Sequence, residues 1–182
     1  MSAKKISEQD VKMGRIYRCS NCETKCDDTY HAQGFKISWG QKTEIEHHYF
    51  CCEDCEKYYV REKGRPALES SLAYFSDTIP ELMEYFQDLL KRGISVPCFF
   101  ETIRHFKLMK RAIEMLLSQE HTYAEVAVAF HKARDVALDL SEELQDEKNK
   151  LHKEYFKLEY RAVINDAKTC DELLKRGIDA WF

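Results

Sequence analysis

Residues 47–59 read HHYFCCEDCEKYY: two histidines, an aromatic pair, three cysteines within five positions, then a charged run ending in two tyrosines. Upstream, Cys19-Ser20-Asn21-Cys22 places two thiols two residues apart, a spacing that lets a tight backbone turn aim both sulfurs at one ion. Six of the eight cysteines fall between Cys19 and Cys55. No basic amino-terminal segment leads into an apolar stretch, so no export signal is expected and the thiols are expected to stay reduced. Paired cysteines in that setting read as metal ligands rather than disulfides. Cys19 and Cys22 supply one half of a zinc site, and Cys55 with Cys51 or Cys52 the other. Residues three or four apart share a helix face, so spacing alone leaves that last choice open. Four thiolates fill zinc's tetrahedral shell with no open position, the mark of a structural site, and one zinc per chain is expected.

Between the clusters, DTYHAQGFKISWGQKTEIEHHYF (28–50) mixes aromatic, β-branched and glycine residues. That composition predicts a short β-hairpin with its loop around Gly40. YFCCEDCEKYY then resembles the ending of the TRASH, YHS and MYM-type treble-clef fingers, an aromatic-Phe-Cys-Ser-x-x-Cys-x-x-aromatic pattern that follows a C-x-x-C knuckle, as here. The resemblance covers about residues 15–63. It implies a knuckle, a hairpin and a short helix around one zinc, assigns Cys51 and Cys55 as the second ligand pair, and leaves Cys52 at the usual Ser position. The glycine usual after the first pair is missing, and Cys26 is extra; no role is assigned to Cys26, His47 or His48. These families include metal-trafficking modules and modules that bind protein or nucleic acid.

After Gly64-Arg65-Pro66 the pattern turns helical, which predicts an α+β, mostly α chain: a zinc module over 1–65 and a helical domain over 66–182. Thr78 and Glu81 have capping-box spacing, with Pro80 in the first turn and Gly93 as the stop. Ser95 and Pro97 start a second helix, along which Phe99, Ile103, Phe106, Met109, Ile113 and Leu116 recur at steps of three or four. A third begins at Thr122, with Glu125 three residues on, and meets no Pro or Gly for over forty residues. It is expected as one long helix packed on its neighbours at both ends with a solvated, charged middle; Leu144, Leu151 and Leu158, seven apart without a complete partner line, either pack on the preceding helices or form a homodimer seam. A last short helix is expected after Thr169, capped with Glu172. LLKRGI occurs at 89–94 and again at 173–178, and both copies read as helix ends closed by a left-handed glycine.

The formal charge of -4 gives no general attraction to nucleic acid, so contact with it would need a local patch. No apolar run approaches membrane-spanning length, and an intracellular, cytoplasmic protein is expected. No phosphate-cradling glycine loop, nucleophile elbow or HExxH helix appears. HNH-type nucleases also bracket a hairpin with cysteine pairs, but here no Asp-His or spaced His pair lies between the pairs and no Asn follows Cys55. The reading is a non-enzymatic zinc-finger adaptor or regulator that binds a protein partner, with nucleic-acid contact as a second component. A metal-sensing or metal-trafficking protein is the rival. Tyr58, Arg61, Lys57 and Lys63, following the last zinc ligand, are the expected partner face; Arg104, Lys107 and Arg111 on the second helix are the alternative face.

Overall fold

A computed structural model describes residues 17–26, 32–33, 48–94, 97–146, 153–154 and 156–182. The expected hairpin loop around Gly40, His47, Ser95 and Leu151 lie outside these. A knuckle at 17–26 is followed by β1 (Ala32–Gln33) and β2 (His48–Tyr49), paired antiparallel with Ala32 opposite Tyr49. Among the described residues the main helices that follow are α1 (Glu53–Lys91), α2 (Pro97–Ser118), α3 (Tyr123–Glu143) and α4 (Lys157–Glu172), ending in a π turn at Leu173–Gly177 and a 3-10 turn at Asp179–Trp181.

The short helix expected after the second cysteine cluster is instead the first part of a 39-residue helix. Thr78 does not cap a helix, and Pro66 and Pro80 both lie inside α1. Each interior proline removes a backbone hydrogen bond at a cost of about 3 kcal/mol. The stripe of Val60, Leu68, Phe75, Ile79, Leu82 and Leu89 is buried along the same helix, and each such side chain contributes about 1.5–3 kcal/mol. Packing therefore outweighs the two breaks. The expected boundary at 65/66 falls within this helix.

The single long helix expected from Thr122 is two helices. Thr122 caps α3 in a complete capping box with Glu125, as expected. The helix then stops at Glu143, where Gln145 and Asp146 turn back with bonds to Glu142 and Glu143. α4 packs against α3 in the opposite sense, with Arg134 Nη1 3.3 Å from Asp171 Oδ1. Leu144 is buried while Leu158 is 75% exposed, so the proposed seam is split between environments. Thr169 lies inside α4, its hydroxyl donating to the Asn165 carbonyl, and starts no new helix.

The chain runs up and down. Phe75 and Phe86 of α1 meet Phe106 and Phe99 of α2, and Cys98 near the start of α2 meets Glu143 at the end of α3. Phe99, His105 and Met109 of α2 face Phe156, Asp166 and Cys170 of α4, so these two helices run parallel. The last turns return to α1: Arg61 donates to the carbonyls of Ala180 (3.2 Å) and Trp181 (2.9 Å), and the Arg65 guanidinium sits over the Trp181 ring. No helix among the described residues is long and apolar enough to cross a membrane.

Candidate metal centre

The knuckle is closed by its own backbone. The Cys19 amide donates to Thr24 O, the Glu23 amide to Cys19 O, and the Cys26 amide to Tyr17 O. Glu23 takes φ 61°, the left-handed conformation that glycine adopts most cheaply. It is the residue directly after the first cysteine pair, where the resembled pattern has its glycine. The Ser20 amide donates to Tyr49 O, and the Tyr17 and Tyr49 rings lie 4.1 Å apart, which ties the knuckle to β2. The Tyr59 ring packs at a tilt against Phe50 and His48, and its hydroxyl lies 3.4 Å from His48 Nδ1. Cys19, Cys26 and Phe50 form the small core of this end. Cys26 thus serves as a packed residue here.

Cys51 ends the approach to α1, Cys52 is the helix N-cap and Cys55 lies in the first turn. The ligand atoms of Cys19, Cys22, Cys51 and Cys55 all lie within 4.8 Å of one another. Cys22 and Cys51 sulfurs are 3.4 Å apart, and those of Cys51 and Cys55 3.5 Å. A tetrahedron of zinc–sulfur bonds near 2.3 Å has edges of about 3.8 Å. The four thiols therefore fit a zinc ion with small adjustments and could hold it in an all-sulfur shell. Cys52 stands outside the set, its sulfur 3.8 Å from that of Cys51. Among the described residues this is the one grouping able to hold a metal. None of the eight cysteines is in a disulfide.

Hydrogen bonding from the Thr24 hydroxyl and amide pulls the Cys22 thiol down to about 6. Contact with the sulfurs of Cys22 and Cys55 pushes Cys51 well above the usual thiol range. Packed sulfurs resist sharing several negative charges until a cation neutralises them, and a bound dication deprotonates its thiols outright. The four-thiol group could therefore hold a metal ion. Cys98 behaves oppositely: burial, then Glu143, pushes its thiol up to about 11, which agrees with a packed core residue.

The expected partner face divides. Tyr58 is 59% exposed, and Lys63 is exposed as well. Lys57 pairs with Glu53 at 3.2 Å. Arg61 is not presented outward, because its guanidinium is held by the Ala180 and Trp181 carbonyls. On α2, Arg104 pairs with Glu101 at 3.0 Å, while Lys107 and Arg111 are exposed and form no ion pair among the described residues.

One arrangement escaped the sequence reading. His105 and Asp166, both fully buried, meet with Nε2 3.1 Å from Oδ2, and His105 Nδ1 lies 3.0 Å from Ala133 O. A carbonyl only accepts, so Nδ1 carries a hydrogen, and one further proton lies between Nε2 and the carboxylate. The signal was a histidine on the apolar stripe of α2, beside Thr102 and Phe106. Compared with known proteins, the chain matches no family model, no curated protein and no solved structure.

Proposed function

We propose that this chain is a non-enzymatic adaptor whose amino-terminal part, 1–65, is a treble-clef-like module braced by one structural zinc, fused through α1 to a helical part, 66–182. The observation that carries the reading is the four-sulfur cluster of Cys19, Cys22, Cys51 and Cys55, all within 4.8 Å. A closed four-thiolate site leaves no position for substrate, so the metal's contribution is to hold the knuckle against α1. Tyr58, Lys57 and Lys63 are then presented on a rigid helix, which lowers the ordering cost of binding a partner. Arg61 belongs to the structure of this part rather than to its contact surface.

The test is metal analysis of protein purified without added zinc, with cobalt substitution as a spectroscopic readout. About one zinc per chain and a cobalt–thiolate charge-transfer band are expected, both lost in Cys22→Ser and in Cys55→Ser and kept in Cys52→Ser. A metal-free wild type with an intact knuckle overturns the reading. Metal sensing or trafficking is the second reading, favoured by the fifth sulfur, Cys52, 3.8 Å from Cys51. It requires zinc to exchange with a chelator within minutes, and in Cys52→Ser that exchange slows; a structural site exchanges over hours in both.

A further inference from the structure

The outward face where α2 meets α3 is unlike the rest of the bundle surface. Two adjoining hollows of about 430 and 300 Å³ share Leu108 and Arg111 and make one groove along α2. Its floor is aliphatic: Ile103, Leu108 and Met115 from α2, Ala124, Val128 and Ala129 from α3. Phe100 closes one end at 64% exposure, and Val128 is 52% exposed beside the other hollow. Tyr123, by contrast, lies edge-on to Phe182. The floor of this groove has no such cover among the described residues.

Its rim is basic. Arg104, Lys107, Arg111 and Lys132 line it, although the chain as a whole carries -4. Lys107, Arg111 and Lys132 form no ion pair among the described residues. Glu125 is the one acid in the lining, and its carboxylate already accepts from the Thr122 amide and hydroxyl at 2.8 Å. Ile103 to Met115 spans about 18 Å of helix, the length of about three turns of a guest helix.

We propose that this groove binds an acidic amphipathic helix of a protein partner, its apolar stripe on the Ile103–Leu108–Val128 floor and its Glu or Asp side chains against Lys107, Arg111 and Lys132. A helix fits because an apolar stripe at three- and four-residue spacing matches a floor built from two helices, as in other helix-in-groove recognition. Acidic flanks satisfy cations that form no ion pair among the described residues, and exclude basic competitors. A nucleic acid fits less well: an aliphatic floor offers neither stacking planes nor hydrogen bonds to bases, and Phe100 alone could stack. The inference rests on the adaptor reading and supplies its partner class.

The probe is a fluorescein-labelled helical peptide of about 14 residues, with Leu at every third or fourth position and Glu on the flanks. It is titrated by anisotropy into the full zinc-loaded chain, with methyl resonances of Ile103, Leu108, Met115 and Val128 followed by NMR. Saturable binding is expected, with shifts at those methyls and a loss of about tenfold or more in Lys107→Glu/Arg111→Glu and in Val128→Asp. Both variants change exposed side chains only, and a far-UV spectrum confirms that they fold. Equal binding by a Lys-flanked peptide, or binding that survives the charge reversal, overturns the proposal. So does an absence of saturable binding, or an oligonucleotide rather than the peptide shifting the same methyls. Concentration-dependent dimerisation abolished by Val128→Asp overturns it too, by giving the groove to a second copy. Zinc content is measured on the same samples, so a failed groove and a failed metal centre are told apart.

Discussion

Around the knuckle, Cys19, Cys26 and Phe50 are the buried apolar residues among those described, whereas the bundle buries thirty, from Val60 to Trp181. At about 25 cal/mol per Å² of apolar surface, the thirty supply far more packing energy than the three. The two ends of the molecule are thus held by different means. On the proposed reading, metal coordination fixes the first and close packing the second, with α1 common to both.

The largest effect is expected from removing the metal. Structural zinc in small modules contributes on the order of 10–16 kcal/mol. Chelation, or Cys19→Ser, should therefore abolish the ordered environment of Tyr17, Tyr49 and Tyr59, read as near-ultraviolet circular dichroism, while most of the helical signal survives. A bundle that melts together with the knuckle would break the comparison and make the two ends one cooperative unit. Next comes the buried pair. Asp166→Ala leaves His105 facing an empty acceptor position and should cost about 3–5 kcal/mol in urea unfolding, with zinc content unchanged. His105→Leu/Asp166→Leu should recover part of that loss, since neither side chain is then left facing the unpaired polar group of the other. A single variant as stable as the wild type would show that the pair carries no stability. The smallest effect is at Glu23, whose φ of 61° a glycine relieves. Glu23→Gly should stabilise the knuckle by up to about 1 kcal/mol, seen as a higher chelator concentration at half-unfolding. Destabilisation would mean that the Glu23 side chain itself holds the turn.

The four-cysteine grouping was legible because coordination is a short-range rule: two cysteine clusters, a fixed spacing and a hairpin-length gap. The bundle was less so. Leu68, Phe75, Leu82 and Leu89 lie seven apart, a helical signature, yet Pro66 and Pro80 argued for breaks that the packing overrides. The turn after Glu143 carries no Pro or Gly, so nothing local announced it; α3 ends there because α4 must fold back to bury Tyr160, Val163 and Ala167. LLKRGI shows the same limit within one string. At 89–94 it closes a helix as expected: Gly93 takes φ 74°, and the Ile94 amide donates to Leu89 O. At 173–178 it forms a π turn, with the Ile178 amide donating to Leu173 O and no left-handed glycine. Ile94 is 45% exposed and Ile178 fully buried. A Cβ on Gly177 would come within 2.6 Å of Leu173 Cδ2, so the second glycine provides space rather than a special φ. Identical local chemistry therefore takes two forms, chosen by what lies outside it.

Arg61 meets Ala180 and Trp181 across 119 and 120 residues of chain. Ribosomes add about 5–20 residues per second, so that clamp cannot form until about 6–24 s after Arg61 is made. Cys19 and Cys55 are separated by only 36 positions, counted from their numbers, and are both available within about 2–7 s. If the four thiols take up zinc as proposed, that capture can precede closure of the bundle on the ribosome. The helix that later anchors the carboxy-terminal turns has its first turn set before its far partners exist.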